Sequence, residues 1–308
     1  MKPPLLGSTP RSRREFLRMA ALAASATALG VRVSSGETPA TSDRPIIGFS
    51  KPFQSLGAED TAAFVEQVGW SGIECPVRAM GQIEPQMVEI ELPRFTEAFQ
   101  RRGLTIPLLV TDIASIGEPH AEKVLRTAAQ LGVKRIRLGT FRYRFDRPIE
   151  GQVEDFGKAL KDIGAACGEL GIRAGVQNHS GRDRFCAPVW DLIAALGGSQ
   201  AQNVGICFDI AHATIEGGLS WPIQVHLAEP HFLSVYFKDF VWVKEKGSWI
   251  PGWCPLGDGM VERSFAAGLA RSAFSGPICQ HHEYPLGGRA EMLAHMQHDL
   301  RVLKEWLA

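Results

Sequence analysis

Residues 156–180 read FGKALKDIGAACGELGIRAGVQNHS, and this stretch decides the fold. Phe156, Leu160, Ile163, Cys167 and Leu170 recur at helical spacing and make one apolar face. Gly171 follows where a left-handed glycine closes a helix. The run Arg173–Ser180 then predicts a strand whose far end is polar: Gln177, Asn178, His179. Helix, glycine, strand and polar end form one unit of an α/β chain.

The same unit recurs on both sides. Strands are predicted at Ile46–Lys51, Gly72–Val77, Ile106–Asp112, Arg135–Phe141, Arg173–Ser180, Val204–Ile210, Leu233–Phe240 and Pro277–Tyr284. Their starts lie 26, 34, 29, 38, 31, 29 and 44 residues apart, each the length of a strand plus a helix. Ala121, Val124, Leu125, Ala128 and Leu131 mark another helix face, as do Leu293, Met296, Leu300, Leu303 and Leu307. Gly69, Gly103 and Gly132 repeat the helix-closing glycine. Eight such units predict a single-domain (β/α)8 TIM barrel over 45–308. An open doubly wound sheet has the same local pattern. It would carry a Gly-rich phosphate loop after its first strand, and Gly48–Gly57 contains none.

The chain has 308 residues, 45% apolar and 21% charged, which excludes a disordered, fibrous or polytopic membrane protein. Basic and acidic residues number 33 each but are unevenly placed. Residues 1–36 hold six basic residues and one acid, leaving the remainder at −5. A body of that sign is a poor match for nucleic acid. The six cysteines (75, 167, 186, 207, 254, 279) form no CxxC and read as buried free thiols.

The segment Ser12-Arg-Arg-Glu-Phe-Leu-Arg18, followed by the small apolar run Met19–Val31, has the layout of an export signal and is short for a membrane span, which needs ~20 apolar residues. Its arginine pair followed by Phe-Leu resembles a twin-arginine signal. That resemblance implies the twin-arginine export machinery as a partner, a periplasmic or exported location, and no stable membrane anchor. Residues 1–36 are read as the signal region and 37–44 as a linker.

In a barrel the active site is built at the carboxyl ends of the strands. Those ends carry Glu74, Thr111 and Asp112, Arg142 and Arg144, Gln177, Asn178 and His179, Asp209 and His212, Tyr236, Lys238 and Asp239, and Gln280–Glu283. Period-two alternation predicts that Gln177, His179, Asp209, Tyr236, Lys238, His281 and Glu283 face inward, with His212 one turn above, Cys207 inside and Phe208 outside. Carboxylate, imidazole and amide oxygens around one axis can hold Mn²⁺, Mg²⁺, Zn²⁺ or Fe²⁺.

Four stretches carry a likeness: Asp209-Ile-Ala-His212, Tyr236-Phe-Lys-Asp239, Leu256-Gly-Asp-Gly259 and Glu283-Tyr284. Together they resemble the sugar phosphate isomerase/epimerase group, which has the xylose isomerase-like TIM barrel and includes inosose dehydratases, ketose 3-epimerases and endonuclease IV. The resemblance implies one divalent metal held by Glu, Asp, His and Glu from strands 5 to 8. Asp209 and Glu283 match that set. Gln177 stands in place of the first Glu and Tyr236 in place of the His. The implied metal residues are therefore Gln177, Asp209 and Glu283. Glu283 would also act as a base, His212 and His179 would relay protons, and Lys238 would balance charge. Glu74, Arg142, Tyr236, Trp253 and His281 would contact substrate. A ligand set of His179, Asp209, His281 and Glu283 is the alternative.

Blander readings stand beside these. Asp209 and His212 can be a simple hydrogen-bonded pair, Lys238 and Asp239 an ion pair, and Arg142 and Arg144 either solvated charges or an anion clamp. Residues 241–261 read as a long loop bearing Trp242, Trp249 and Trp253, either covering the barrel mouth or merely packing on it. The resulting expectation is an exported, metal-assisted isomerase, epimerase or lyase acting on a small carbohydrate. The alternative is a non-catalytic carbohydrate-binding barrel with a degenerate metal site. A nuclease like endonuclease IV ranks last, because strands 2 and 3 offer no His for a zinc cluster.

Overall fold

β-branched and apolar runs that bury both faces make parallel barrel strands, and here such runs are wholly buried in β2 (Gly72–Pro76), β6 (Val204–Asp209) and β7 (Phe232–Phe237). With β1 (Ile46–Phe49), β3 (Thr105–Val110), β4 (Arg135–Arg137), β5 (Arg173–Gln177) and β10 (Ile278–Gln280) they close a parallel barrel in the order β1-β10-β7-β6-β5-β4-β3-β2. β8 (Asp239–Glu245) and β9 (Ser248–Cys254) form a separate antiparallel pair. The computed structural model describes residues 44–197 and 203–308. The signal region 1–36 and the linker up to residue 43 lie outside the described residues. Arg44, the last linker residue, donates to the carbonyls of Phe274, Ala270 and Ser272.

The helices are α1 (Ala58–Val68), α2 (Val88–Gln100), α3 (Ala121–Gln130), α4 (Ile149–Glu169), α5 (Trp190–Ala195), α6 (Ile210–Gly217), α7 (Trp221–Ala228), α8 (Arg263–Arg271) and α9 (Arg289–Leu307). Their apolar faces and the outer faces of the strands make one core, with Phe64, Phe99, Leu125, Ile163, Phe208, Val235, Phe237 and Leu300 buried in it. A second, smaller core fills the barrel: Ile47, Phe49, Leu108, Val110, Cys207, Leu233, Tyr236 and Cys279. Cys207 and Tyr236 are inside while Phe208 and Phe237 are outside, the alternation that a two-residue period imposes. Gly175 keeps this interior closed, since a Cβ there would meet Cys207 Sγ at 2.5 Å and Leu233 at 2.8 Å. Among the described residues no helix is long and apolar enough to cross a membrane.

Two expectations need correction. The strands end earlier than read: β5 stops at Gln177, not Ser180, and β10 at Gln280, not Tyr284. The polar residues beyond leave the ladder, and side chains take over its hydrogen bonds. Asn178 shows this directly. Its Oδ1 accepts from Asp209 N (2.7 Å) and its Nδ2 donates to Asp209 O (3.0 Å), so an amide side chain continues the pairing of β5 with β6. Residues 241–261 are also not simply a loop. β8 and β9 make a hairpin turning at Lys246-Gly247, both with positive φ (47° and 84°), the backbone that a two-residue hairpin turn requires.

Candidate active site

Two buried hubs lie at the carboxyl end of the barrel. The deeper one is Glu74, the inward side chain of β2, fully buried. Its Oε1 accepts from Tyr236 Oη (2.6 Å) and its Oε2 lies 2.8 Å from His281 Nε2. Arg137, on β4, sits 3.6 Å away. Burial pushes the Glu74 carboxyl up, but the Arg137 and His281 charges and these hydrogen bonds prevail and hold it at about 2. His281 is stacked between Tyr236 and Phe49, at ring separations of 4.4 and 4.7 Å. His282 turns the other way and faces Asp299 on α9 at 3.3 Å.

The upper hub is Lys238, one residue past β7 and 3% exposed. Its Nζ lies 2.8 Å from Glu283 Oε1, 2.8 Å from His212 Nε2 and 3.4 Å from Asp209 Oδ2. The indole of Trp253 lies over it at 4.2 Å. An ammonium has three N–H donors, and three acceptors surround this one. His212 Nε2 therefore accepts, so its Nδ1 carries the proton and donates to Ser180 Oγ at 2.8 Å. Burial first and the Lys238 charge second push His212 well below the ordinary histidine range, which keeps it neutral. Burial would raise the Glu283 carboxyl, but Lys238 and His281 outweigh it and hold it at about 2.

Asp209 ties the hub to α6. Its Oδ1 accepts from His212 N as the helix cap, and its Oδ2 accepts from Gln177 Nε2 at 3.1 Å. His179 lies beside His212 with ring centroids 4.0 Å apart. Its Nδ1 lies 2.8 Å from the Ser180 carbonyl, so that nitrogen donates and Nε2 keeps a free lone pair. Burial and then Lys238 lower His179 to about 4.

Of the residues expected at the site, Gln177, His179, His281 and Glu283 line one cavity of about 240 Å³. Asp209, His212, Lys238 and Trp253 stand directly behind Glu283 and Gln177, and Glu74 and Tyr236 support His281. Arg142 is not among the cavity-lining residues. Its Nη1 donates to both carboxylate oxygens of Asp183, and Arg144 pairs with Asp146 on an exposed segment. Lys238 and Asp239 do not pair with each other. They are neighbours in the chain at the junction of β7 and β8 with different partners, and Asp239 accepts from the backbone N–H groups of Phe240, Gly257, Gly259 and Val261. The Leu-Gly-Asp-Gly stretch is thus a loop wrapped on a carboxylate. A Cβ at Gly259 would strike Asp239 Oδ1 at 2.3 Å.

The implied metal ligands do gather, but their arrangement does not fit a divalent ion. Lys238 Nζ stands between Asp209 and Glu283, Gln177 presents its N–H₂ to Asp209, and Tyr236 is turned to Glu74. Elsewhere, Glu74, Cys279 and His281 offer three possible ligand atoms within 4.8 Å of one another. Glu74 and His281 are already partnered there, and Arg137 supplies the positive charge. Sequence reading passed over Arg137, Arg78 and Arg184, which line the cavity, and Ser180, which orients His212. Arg137 is the last residue of the short strand β4, beside Val110 of β3, and only that inward register would have flagged it.

A parallel eight-stranded barrel with its polar side chains at the carboxyl ends defines a TIM barrel with its site in the usual place. The model of the xylose isomerase-like TIM barrel family matches residues 62–306, and the chain belongs to that family. Comparison with curated sequences finds no match. Among solved structures, a xylose isomerase-like TIM barrel protein from Mycobacterium smegmatis in complex with magnesium superposes with TM-score 0.63 at 15% identity, over 86% of this chain and 98% of that one. The apo 3-keto-D-glucoside 4-epimerase of E. coli gives 0.64 at 15%, over 85% and 99%. A D-psicose 3-epimerase solved in the presence of D-fructose gives 0.65 at 13%, over 85% and 99%. At such identities the likeness concerns the fold.

Proposed function

We propose that the protein is a sugar or keto-sugar isomerase, epimerase or lyase-type enzyme that moves a proton next to a carbonyl and uses the Lys238 ammonium as its fixed positive charge. The observation carrying this is the ring of Asp209, Glu283 and neutral His212 around Lys238, directly behind a cavity lined by His179 and Glu283. The two epimerases among the structural neighbours agree with the substrate class.

His179 and Glu283 lie just past the ends of β5 and β10, which are separated in the barrel by β6 and β7, so they address the cavity from two sides. His179 is neutral at pH 7 with a free Nε2 and serves as the stronger base; Glu283 is the weaker one. Removal of an α-proton leaves an enediolate, and the buried ammonium stabilises that charge without reorganising. Ser180 orients His212, whose Nε2 accepts from Lys238 and helps hold it in place.

Divalent-metal assistance is the second reading, favoured by the Glu74, Cys279 and His281 geometry. Metal analysis of the purified protein separates the two. The third reading, a carbohydrate-binding barrel without chemistry, predicts binding but no proton exchange. Export through the twin-arginine route, to the periplasm or beyond, is proposed from the Arg13-Arg14 motif.

The test is a panel of keto-sugars incubated with the protein in deuterium oxide and followed by NMR. Carbon-bound hydrogen next to the carbonyl is expected to exchange. His179→Gln and Glu283→Gln should each slow exchange by about 10²-fold or more. Binding without exchange across the panel would leave the carbohydrate-binding barrel.

A further inference from the structure

The cavity that His179 and Glu283 line carries unbalanced charge. Besides those bases, Lys51, Arg78, Arg137 and Arg184 face it, against only Asp112 and Glu283. Internal pairing accounts for two of these groups. Glu283 is bonded to Lys238 and Arg137 stands by Glu74. That leaves Lys51, Arg78 and Arg184 with Asp112, an excess of two positive charges.

Arg78 is the telling member. It is half-buried just past β2, and among the described residues no carboxylate reaches it within ion-pair distance. Asp112 Oδ2 is instead engaged by Ala79 N at 3.1 Å. The guanidiniums of Arg78 and Arg137 lie over the same Phe49 ring, at 5.8 and 5.1 Å from its centroid. Burial first and the Arg137 charge second work against the Arg78 cation and outweigh Asp112 and Glu74, which favour it. Two guanidiniums against one ring, one without a carboxylate at ion-pair distance, are costly unless an anion bridges them. Arg184 also lines the cavity, its Nη1 donating to Thr140 Oγ1 at 2.8 Å.

We infer that the substrate is a single sugar carrying an anionic oxygen group, a carboxylate or a phosphate ester, which Arg78 and Arg184 clamp while His179 and Glu283 address the reacting carbon. This rests on the proton-transfer reading above and deepens it. The volume of about 240 Å³ suits one sugar ring, being below the roughly 300–1,000 Å³ of drug-sized sites. The planar forks of two arginines suit a carboxylate or phosphate and give a hydroxymethyl group no advantage.

Calorimetric titration with D-glucuronate, D-glucose and D-glucose 6-phosphate tests this, since the three differ only at the sixth carbon. At low ionic strength at least one anionic sugar is expected to bind about 10-fold or more tighter than glucose. That preference should shrink as salt is raised. Whether glucuronate or the phosphate ester is preferred identifies the anion. Arg78→Gln should cut the preference to below about threefold with glucose affinity unchanged. Arg126→Gln, on the outer face of α3, should leave it intact. Equal affinity for all three sugars, or a preference that survives both Arg78→Gln and Arg184→Gln, overturns the anion clamp. The proton-transfer reading would still stand if the keto-sugar panel exchanges. Failure of all three sugars to bind, together with no exchange in the panel, overturns both.

Discussion

On the proposed reading Lys238 supplies with one ammonium the charge that the family resemblance assigns to a metal, and Asp209, Glu283 and His212 surround it. Removing it leaves the buried Asp209 and the half-buried Glu283 without their ammonium partner. Lys238→Met should therefore cost about 3–5 kcal/mol, read as a large fall in melting temperature. Gln177→Glu puts an acceptor where an N–H now faces Asp209 Oδ2, so it should lower metal-free stability by about 1–3 kcal/mol. A Gln177→Glu protein as stable as wild type without added metal would show that the amide contact is unimportant.

The histidines set a pH dependence at the same scale. Unfolded histidine titrates near 6.5, whereas His179 titrates near 4 in the fold and His212 well below its ordinary value. In the interval the unfolded chain holds protons that the folded one does not. Stability therefore falls as pH drops below about 6.5, by roughly 1.4 kcal/mol per unit for each proton taken up. Glu74 and Glu283, ordinarily near 4.5 but held at about 2, add a second loss below 4.5. A melting curve against pH should be flat between about 7 and 8 and fall in these two stages on acidification. A rise between pH 6.5 and 5 would contradict the neutral histidines.

Among the elements, the β8–β9 hairpin and the loop behind it are the least regular parts of the catalytic end. Trp253 stands opposite Phe240 in the hairpin register and reaches Lys238 and the edge of His212. Trp242 and Trp249 remain exposed. Trp253→Ala should remove a cation–π contact of about 0.5–2 kcal/mol and open Lys238 to water, weakening sugar binding more than stability. If binding per folded molecule is unchanged, Trp253 only packs the hairpin. Asp239→Ala leaves four backbone donors without their acceptor and should cost about 3 kcal/mol. The hairpin was not legible in sequence, because Trp, Val and Ile crowd both faces and Pro251 sits inside β9. Strand starts were legible: each observed barrel strand begins within one residue of its reading, as glycine-closed helices demand. Strand ends were not, since side chains such as Asn178 replace the ladder there.

At the scale of the whole molecule, period two placed the inward ring but could not say what its members would bond. Lys238 reaching across to Asp209 rather than pairing with Asp239, and Arg142 closing on Asp183 outside the cavity, are contacts between distant segments. The basic lining of the cavity is likewise assembled from Lys51, Arg78, Arg137 and Arg184, which no local motif joins. For the signal region, replacing Arg13 and Arg14 by Lys should retain the protein in the cytoplasm on cell fractionation. Export of that variant at the normal level would remove the twin-arginine assignment. The central claim is that a lysine, and not a metal, supplies the positive charge for proton transfer. Its most direct measurement is the rate of solvent deuterium incorporation into a reactive keto-sugar before and after exhaustive treatment with a chelator. The expected result is an unchanged rate that added Mn²⁺ or Mg²⁺ does not raise. A rate lost on chelation and restored by either ion would contradict it.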